Sequence, residues 1–196
     1  MIRPKTGIAM NGDYYVNQRL GLGFVKPSTW KFEAFKDFST EAKDQVLSLL
    51  SPEEEEEELK AHASTLLATI SKYGDERAGF SPSITVHKNQ EGRMKLKNLR
   101  LDSIVALAID GFSMLLKDYE VFEPPLPCKL SKCAAVRYKA RWRFEHRKMQ
   151  SLLIDDETVM IDQKTVLFTI HLYDSPYSGD TTPAEFRRFF KSLHIA

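Results

Sequence analysis

The chain has 196 residues, the size of one ordinary domain and long enough to bury a hydrophobic core. Hydrophobic residues make up 42% of it and charged residues 28%, as in a typical globular protein. The 28 Lys and Arg residues are balanced by 27 Asp and Glu residues. This balance argues against a dedicated nucleic-acid binder, because such proteins neutralise many phosphates.

Membrane and export signals are absent from the sequence pattern. No apolar run is long enough to span a bilayer. The first thirteen residues carry Arg3 and Lys5 without an apolar block behind them, so no signal peptide is visible. We therefore expect a cytoplasmic protein, or a periplasmic or secreted one if an export signal was removed. The chain is predicted to form a single domain over residues 1–196, with a flexible N-terminal segment over residues 1–12.

The N-terminal half predicts short strands and two helices. Tyr14 and Tyr15, and then Gly21 to Val25, indicate two short strands joined by a glycine-containing connection. Ser39 or Thr40 can cap a first helix. A second helix is predicted from Ser51 and Pro52, followed by six glutamates, as an acidic helical insertion over residues 51–63. The glutamate run is typical of a solvated helix face rather than of a metal site.

The central part of the chain predicts a strand pair followed by a helix. Strands are expected at Leu66–Lys72 and Ile84–Lys88, with a polar turn around Gln90–Arg93. Apolar residues then recur every three or four positions from Leu101 to Leu116, which predicts an amphipathic helix.

The C-terminal part predicts strands and one terminal helix. Strands are expected at Cys133–Phe144, around Thr158–Ile161 and at Thr165–Tyr173. Thr182 as cap, Pro183 at the first position and Glu185 form a capping box that begins the last helix.

The order of these elements predicts the fold class. Consecutive strands joined by hairpins favour an α+β fold, a single domain with an antiparallel sheet of about six strands and helices packed on it. Alternation within the last strands predicts a set of residues on one shared core face: Val136, Tyr138, Ala140, Trp142, Phe144, Val166, Phe168, Ile170 and Leu172.

Several landmarks resemble a known fold superfamily. Leu22-Gly23-Phe24-Val25-Lys26-Pro27, with Trp30 three residues later, resembles the opening of the PsbP/MOG/DcrB-like domains. Leu66 to Ile70, followed by Ser81 to Val86, resembles their central strand pair, and the later elements follow in the same order. The resemblance implies an α/β/α sandwich. Members of the superfamily serve as photosystem accessory subunits, binders of a small GTPase, envelope proteins and chaperones for secreted effectors, so the resemblance implies no single chemistry.

One strand carries the most informative pattern. Arg137, Lys139, Arg141 and Arg143 alternate with apolar residues, so they are expected to share one face of the strand. This face is either a surface for an acidic protein partner or an outward face whose cations pair across the strands with Asp155, Asp156 or Glu157. Trp30, on a connection, is a second candidate for partner binding.

Enzymatic and metal motifs are missing from the sequence. There is no Gly-x-Ser-x-Gly, no His-Glu-x-x-His and no phosphate-binding glycine loop. Cys128 and Cys133 would lie about 16 Å apart in an extended segment, which favours two reduced thiols over a disulfide. We expect no metal site and no cofactor. The enzymatic alternative is Cys133 acting as a nucleophile with His171 as base.

The sequence therefore predicts a non-enzymatic protein-binding or assembly module, such as a secretion-system chaperone or an accessory protein. The alternatives are the cysteine-dependent enzyme and an anion or nucleic-acid binder that uses the basic strand. Nucleic acid is the weaker of these, since the rings of Tyr138 and Trp142 are expected on the other face of that strand.

Overall fold

The structure is a computed structural model that describes residues 8–33, 66–73, 80–146, 149–177 and 182–196. The strands are β1 (Ile8–Asn11), β2 (Tyr14–Asn17), β3 (Leu22–Val25), β4 (Lys31–Glu33), β5 (Leu66–Ser71), β6 (Ser83–Asn89), β7 (Lys117–Leu130), β8 (Cys133–His146), β9 (Met149–Asp162), β10 (Leu167–Asp174) and β11 (His194–Ile195). The helices are α1 (Gln90–Lys95), α2 (Leu101–Leu115) and α3 (Thr182–Ser192). The predicted α+β class with antiparallel strands is confirmed.

The larger sheet has seven antiparallel strands in the order β4-β5-β6-β10-β9-β8-β7. The strands β7, β8 and β9 are 14 residues each and form two successive hairpins. The sheet thus has one strand more than the sequence predicted. The additional strand is β7 at the edge of the sheet, which contains the prolines at 124, 125 and 127 and which the sequence analysis did not predict.

The smaller sheet has four strands in the order β1-β2-β3-β11. Its last strand comes from the C-terminal end of the chain, where His194 and Ile195 pair with Gly23 and Leu22. The turn before β3 places Gly21 at φ +61°, and a Cβ there would lie 3.2 Å from two atoms of Ala196. A residue with a side chain would therefore be strained at this position.

Two layers cover opposite faces of the seven-stranded sheet. On one face, Ile104 and Val105 of α2 pack against Val136, Tyr138 and neighbouring side chains of the sheet. On the other face, the small sheet and α3 contribute to one large hydrophobic cluster with the sheet, which includes Tyr15, Phe24, Phe186, Phe189, Phe168 and Ile170. The helix predictions for α2 and α3 are confirmed.

The prediction of one shared core face for β8 and β10 is wrong. Residues directly opposite in an antiparallel pair point to the same face. Ile170 is opposite Val159, and Val159 is opposite Arg137. The apolar side chains of β10 therefore share a face with the cations of β8, while Tyr138 and Trp142 point to the α2 side. The sheet therefore carries a hydrophobic cluster on each face. The two clusters are displaced relative to each other along the sheet.

Three smaller expectations differ from the structure or lie outside it. The polar turn at Gln90–Arg93 is helix α1, held by a double ion pair from Arg93 to Asp162 at 2.8 Å and 2.9 Å. Within the segment over residues 1–12 that the sequence suggests is flexible, Ile8–Asn11 form β1, which pairs with β2. The two helices predicted between residues 39 and 63 lie outside the described residues. None of the described helices is long and apolar enough to cross a membrane.

Candidate functional site

The four predicted cations do lie on one face of β8. The pairing of β8 with β9 is regular from Ala134 to Phe144, so the side chains of Arg137 and Arg143 point in the same direction. Tyr138 and Trp142 between them are buried on the opposite side. We call the surface formed by Arg137, Lys139, Arg141 and Arg143 with their neighbours on β7 and β9 the charged face.

Each cation of the charged face has a carboxylate partner on an adjacent strand. The contacts are Arg137 Nη1–Glu157 Oε1 at 3.5 Å, Lys139 Nζ–Glu123 Oε1 at 2.7 Å, Arg141 Nε–Asp155 Oδ1 at 2.5 Å and Arg143 Nε–Asp118 Oδ2 at 2.6 Å. Two of these partners, Asp155 and Glu157, were candidates from the sequence. Asp118 and Glu123 were not, because β7 was not predicted as the neighbouring strand there.

Arg141 is the most tightly held of the four cations. Its Nη2 donates a second hydrogen bond to Asp155 Oδ2 at 2.9 Å, which makes the pair bidentate. Its guanidinium carbon lies 5.2 Å from the centre of the Phe122 ring, within cation–π range. The hydrogen bonds that the guanidinium donates to Asp155 raise the pKa of Arg141. The guanidinium is therefore fixed in orientation, although 39% of the side chain is exposed.

Exposed apolar side chains accompany the cations. Phe122 is 42% exposed, Leu126 is 54% exposed and lies opposite Arg137, and Tyr177 is 74% exposed. Tyr177 lies near Arg141 and Arg143. Arginine and aromatic residues dominate the energetically important positions of protein interfaces. The charged face combines these residue types in one place.

Trp30 is not part of this surface. Its side chain is only 1% exposed, and its ring packs against Phe186 with the centroids 5.9 Å apart. Trp30, the second candidate for partner binding, is thus buried: the connection between β3 and β4 directs the ring into the hydrophobic cluster beneath α3.

Cys133 and His171 cannot form the thiol–imidazole pair of the enzymatic alternative. His171 is opposite Thr158, which is opposite Tyr138, so the imidazole lies on the α2 side of the sheet. Cys133 packs on the other side, against the cluster of α3 and the small sheet. Burial raises the pKa of both the Cys128 and the Cys133 thiols, which disfavours the reactive thiolate form.

The sequence missed a buried polar pair at His171. Its Nδ1 lies 3.0 Å from Asp156 Oδ2 and 3.0 Å from Thr158 Oγ1. Asp156 was expected as a partner of the basic strand, but alternation along β9 places it on the face opposite Asp155 and Glu157. The feature of the sequence that could have indicated this pair was the isolated histidine on the polar side of β10. Within the described residues, no group of three or more His, Cys, Asp or Glu side chains is placed to hold a metal ion.

Comparisons with known proteins show similarity in structure only. No family model and no curated protein matches the sequence. The solution structure of cyanobacterial PsbP (CyanoP) from Synechocystis sp. PCC 6803 matches with a TM-score of 0.56 and 11% identity, over 93% of this chain and 91% of that one. The crystal structure of LpqN, involved in cell envelope biogenesis of Mycobacterium tuberculosis, matches with a TM-score of 0.51 and 9% identity, over 89% of this chain and 83% of that one.

Identities this low carry information on the fold and not on activity. Both matches extend over most of the chain, and they agree with the order of elements that the sequence landmarks indicated. The chain therefore has a PsbP-like fold.

Proposed function

We propose that this protein is a non-enzymatic binding or assembly module that docks a protein partner on the charged face. The observation that carries the proposal is the state of Arg141. Its guanidinium is fixed by Asp155 and Phe122 and still reaches solvent, so little conformational entropy is lost when a partner contacts it. An accessory subunit or a secretion chaperone is a module of this kind.

The ion pairs change the expected chemistry of the partner. The sequence suggested an acidic segment, but the four cations each face a carboxylate within 3.5 Å. A purely acidic partner would meet Asp118, Glu123, Asp155 and Glu157 as well, and like charges placed together cost free energy. A partner that presents both signs of charge, with an apolar group for Phe122, Leu126 or Tyr177, fits the surface better.

Nucleic acid fits the charged face poorly. Phosphates would meet the same carboxylates, and the rings of Tyr138 and Trp142 are buried on the other side of β8, where they cannot stack on bases. Anion binding through the basic strand is therefore the weaker alternative.

The proposed contact uses the face of the sheet and not its edge. The edge strand β7 contains Pro124, Pro125 and Pro127, which lack the N–H needed to pair with an added strand. Its pairing with β8 shifts register in three places, and Asp118 has a left-handed φ of 54°. Such irregularity blocks strand addition along most of this edge.

The proposal is tested by capturing partners from native extracts with the wild type and with a variant in which Arg137, Lys139, Arg141 and Arg143 are all Ser. We expect proteins captured by the wild type to be missing from the variant, and their recovery to fall as salt rises, because exposed charges are screened over about 8–10 Å at physiological ionic strength.

The matched control changes four exposed cations elsewhere to Ser, namely Lys97, Arg187, Arg188 and Lys191. This control variant should capture the same proteins as the wild type. Identical partner lists from the wild type and the charged-face variant would show that the face is only solvated, provided that both proteins unfold cooperatively at similar temperatures.

A further inference from the structure

Side chains of opposite charge lie across from one another on β7 and β8. The pairs, by strand register or by contact, are Glu120 with Arg141, Glu123 with Lys139, Asp118 with Arg143 and, with the signs exchanged, Lys117 with Glu145. On the other side of β8, β9 adds Asp155 and Glu157. The charged face therefore consists of a mainly acidic stripe on β7, a mainly basic stripe on β8 and a second acidic stripe on β9.

Part of the bonding capacity of these stripes is unused within the described residues. Glu120 is exposed and forms no ion pair there, although it is opposite Arg141. Arg141 donates from Nε and Nη2 to Asp155 and makes no hydrogen bond from Nη1 to any described residue. Arg137 is held loosely, because its contact with Glu157 is 3.5 Å long and 46% of its side chain is exposed. A partner can therefore add contacts without breaking those within the chain.

A second copy of the chain meets this face with matched charges in one orientation. In a two-fold contact, residue i of one copy meets residue j of the other, and j meets i. If the axis runs along the boundary between β7 and β8, each β8 side chain lies over the second copy's equivalent of its own cross-strand neighbour. Arg141 of each copy then faces Glu120 of the other. An axis at right angles to the strands would instead place basic stripe on basic stripe, which costs free energy.

The position of β7 at the edge of the sheet leaves room for this arrangement. β7 is the last strand of the sheet, whereas α3 and the small sheet pack over β10 on the same face. With the axis between β7 and β8, the second copy's β9 and the layer over its β10 lie beyond this edge. Phe122 and Leu126 on β7 are exposed and lie close to the axis, so the contact covers them. Apolar groups inside a charged rim are usual in protein interfaces.

We propose that the partner of the charged face is a second copy of this chain, bound in a two-fold dimer with its axis between β7 and β8. The inference rests on the proposed function, since it uses the same surface, and it adds the identity of the partner. The chain itself supplies both signs of charge and exposed apolar groups, which are the features that the face requires of a partner. Because the contact is made largely by exposed charges, we expect the dimer to weaken as salt rises.

The test measures self-association of the full chain by sedimentation velocity over a range of protein and salt concentrations. Glu120→Arg places a cation opposite Arg141 of the second copy. The exchange variant, Arg141→Asp with Asp155→Arg, keeps the ion pair within the chain but places a carboxylate opposite Glu120. Each variant alone should dimerise at least roughly tenfold more weakly than the wild type, because like charges repel across an interface.

An equimolar mixture of the two variants should restore dimers, since every contact at positions 120 and 141 then joins opposite charges again. The control is Asp110→Arg, which makes the same change of charge at an exposed carboxylate of α2. This control should dimerise as the wild type does.

A wild type that stays monomeric at every soluble concentration would overturn the proposal, while the docking of other proteins on the charged face would stand. Equal dimerisation of the wild type and Glu120→Arg would assign the dimer to another surface, and a mixture without restored dimers would contradict the two-fold axis. If the exchange variant does not fold, Glu120→Arg against Asp110→Arg decides. Failure of the proposed function has a different signature, namely equal partner lists from the wild type and the four-serine variant.

Discussion

Arg141 and Asp155 face each other on β8 and β9, and the guanidinium donates two hydrogen bonds to the carboxylate, at 2.5 Å and 2.9 Å. An ion pair this exposed contributes at most about 1 kcal/mol to the free energy of unfolding. Its main consequence is geometric, because a planar bidentate pair with Phe122 beside it leaves the guanidinium one orientation. Within the charged face, Arg141 is thus held in place by groups of the chain itself.

Removal of the Trp142 ring should destabilise the protein strongly. Trp142 is buried beside Phe144, Ile154 and Tyr173, so Trp142→Ala leaves a cavity and should lower the free energy of unfolding by roughly 3–5 kcal/mol. The control is Met114→Ala on the exposed side of α2, which should change it by less than about 0.5 kcal/mol. Denaturant unfolding measures both. A loss below about 1 kcal/mol for Trp142→Ala would contradict the burial of the ring.

Removal of the Thr85 hydroxyl should stabilise the protein. The Oγ1 atom is buried and unpaired among the described residues, so Thr85→Val should raise the free energy of unfolding by roughly 1–3 kcal/mol. Thr165→Val, at an exposed position, should have little effect. If Thr85→Val were instead strongly destabilised, the hydroxyl would have a partner within the protein.

Glu157 should make the stability depend on pH. Burial raises the pKa of its carboxyl, and Arg137 and Lys139 lower it only in part. The folded state therefore binds this proton more tightly than the unfolded state does. Stability should fall as pH rises from the ordinary glutamate pKa of about 4.3 through the raised value.

Glu157→Gln should remove that part of the pH dependence and should be relatively more stable near neutrality. The measurement is the free energy of unfolding against pH for both proteins. Glu120→Gln, at an exposed carboxylate of β7, serves as the control and should alter the slope less. Parallel pH profiles for the wild type and Glu157→Gln would show that the pKa of Glu157 is not raised.

The two thiols should react slowly. Because partial desolvation raises the pKa of the Cys128 and Cys133 thiols, alkylation by iodoacetamide at neutral pH should be slower than that of a free cysteine. Cys128 should react before Cys133, since it is exposed and Cys133 is only partly so. Mass spectrometry of the labelled peptides gives both rates. Fast and selective modification of Cys133 would contradict the raised pKa of its thiol and would support a cysteine-dependent activity.

The sequence predicted most strands and helices, but it did not predict which faces of neighbouring strands lie on the same side of the sheet. The alternation in β8 and β10 showed correctly that each strand has two faces. It could not show which face of β10 matches which face of β8, because this depends on register across β9, where Val159 connects Ile170 to Arg137. Pairing of Leu22 and Ile195, 173 positions apart, was equally inaccessible to local patterns.

For a similar reason, the sequence could predict the cations of the candidate site but not all of their partners. The cation strip follows from a period of two within one strand. Its partners Asp118 and Glu123 belong to a proline-containing edge strand that local propensity disfavours, and Trp30 is directed inward by packing against Phe186 that no local pattern encodes.

The central claim is tested most directly by exchanging two charges on the charged face. In the double variant Arg141→Asp with Asp155→Arg, the ion pair within the chain is retained while the pattern offered to a partner is inverted. The measurement compares recovery of wild-type partners by this variant, with unfolding of both proteins as the control for folding. We predict recovery reduced by more than roughly tenfold, equivalent to about 1.4 kcal/mol of binding free energy, with unfolding nearly unchanged. Equal recovery by the two proteins would contradict a binding role for the charged face.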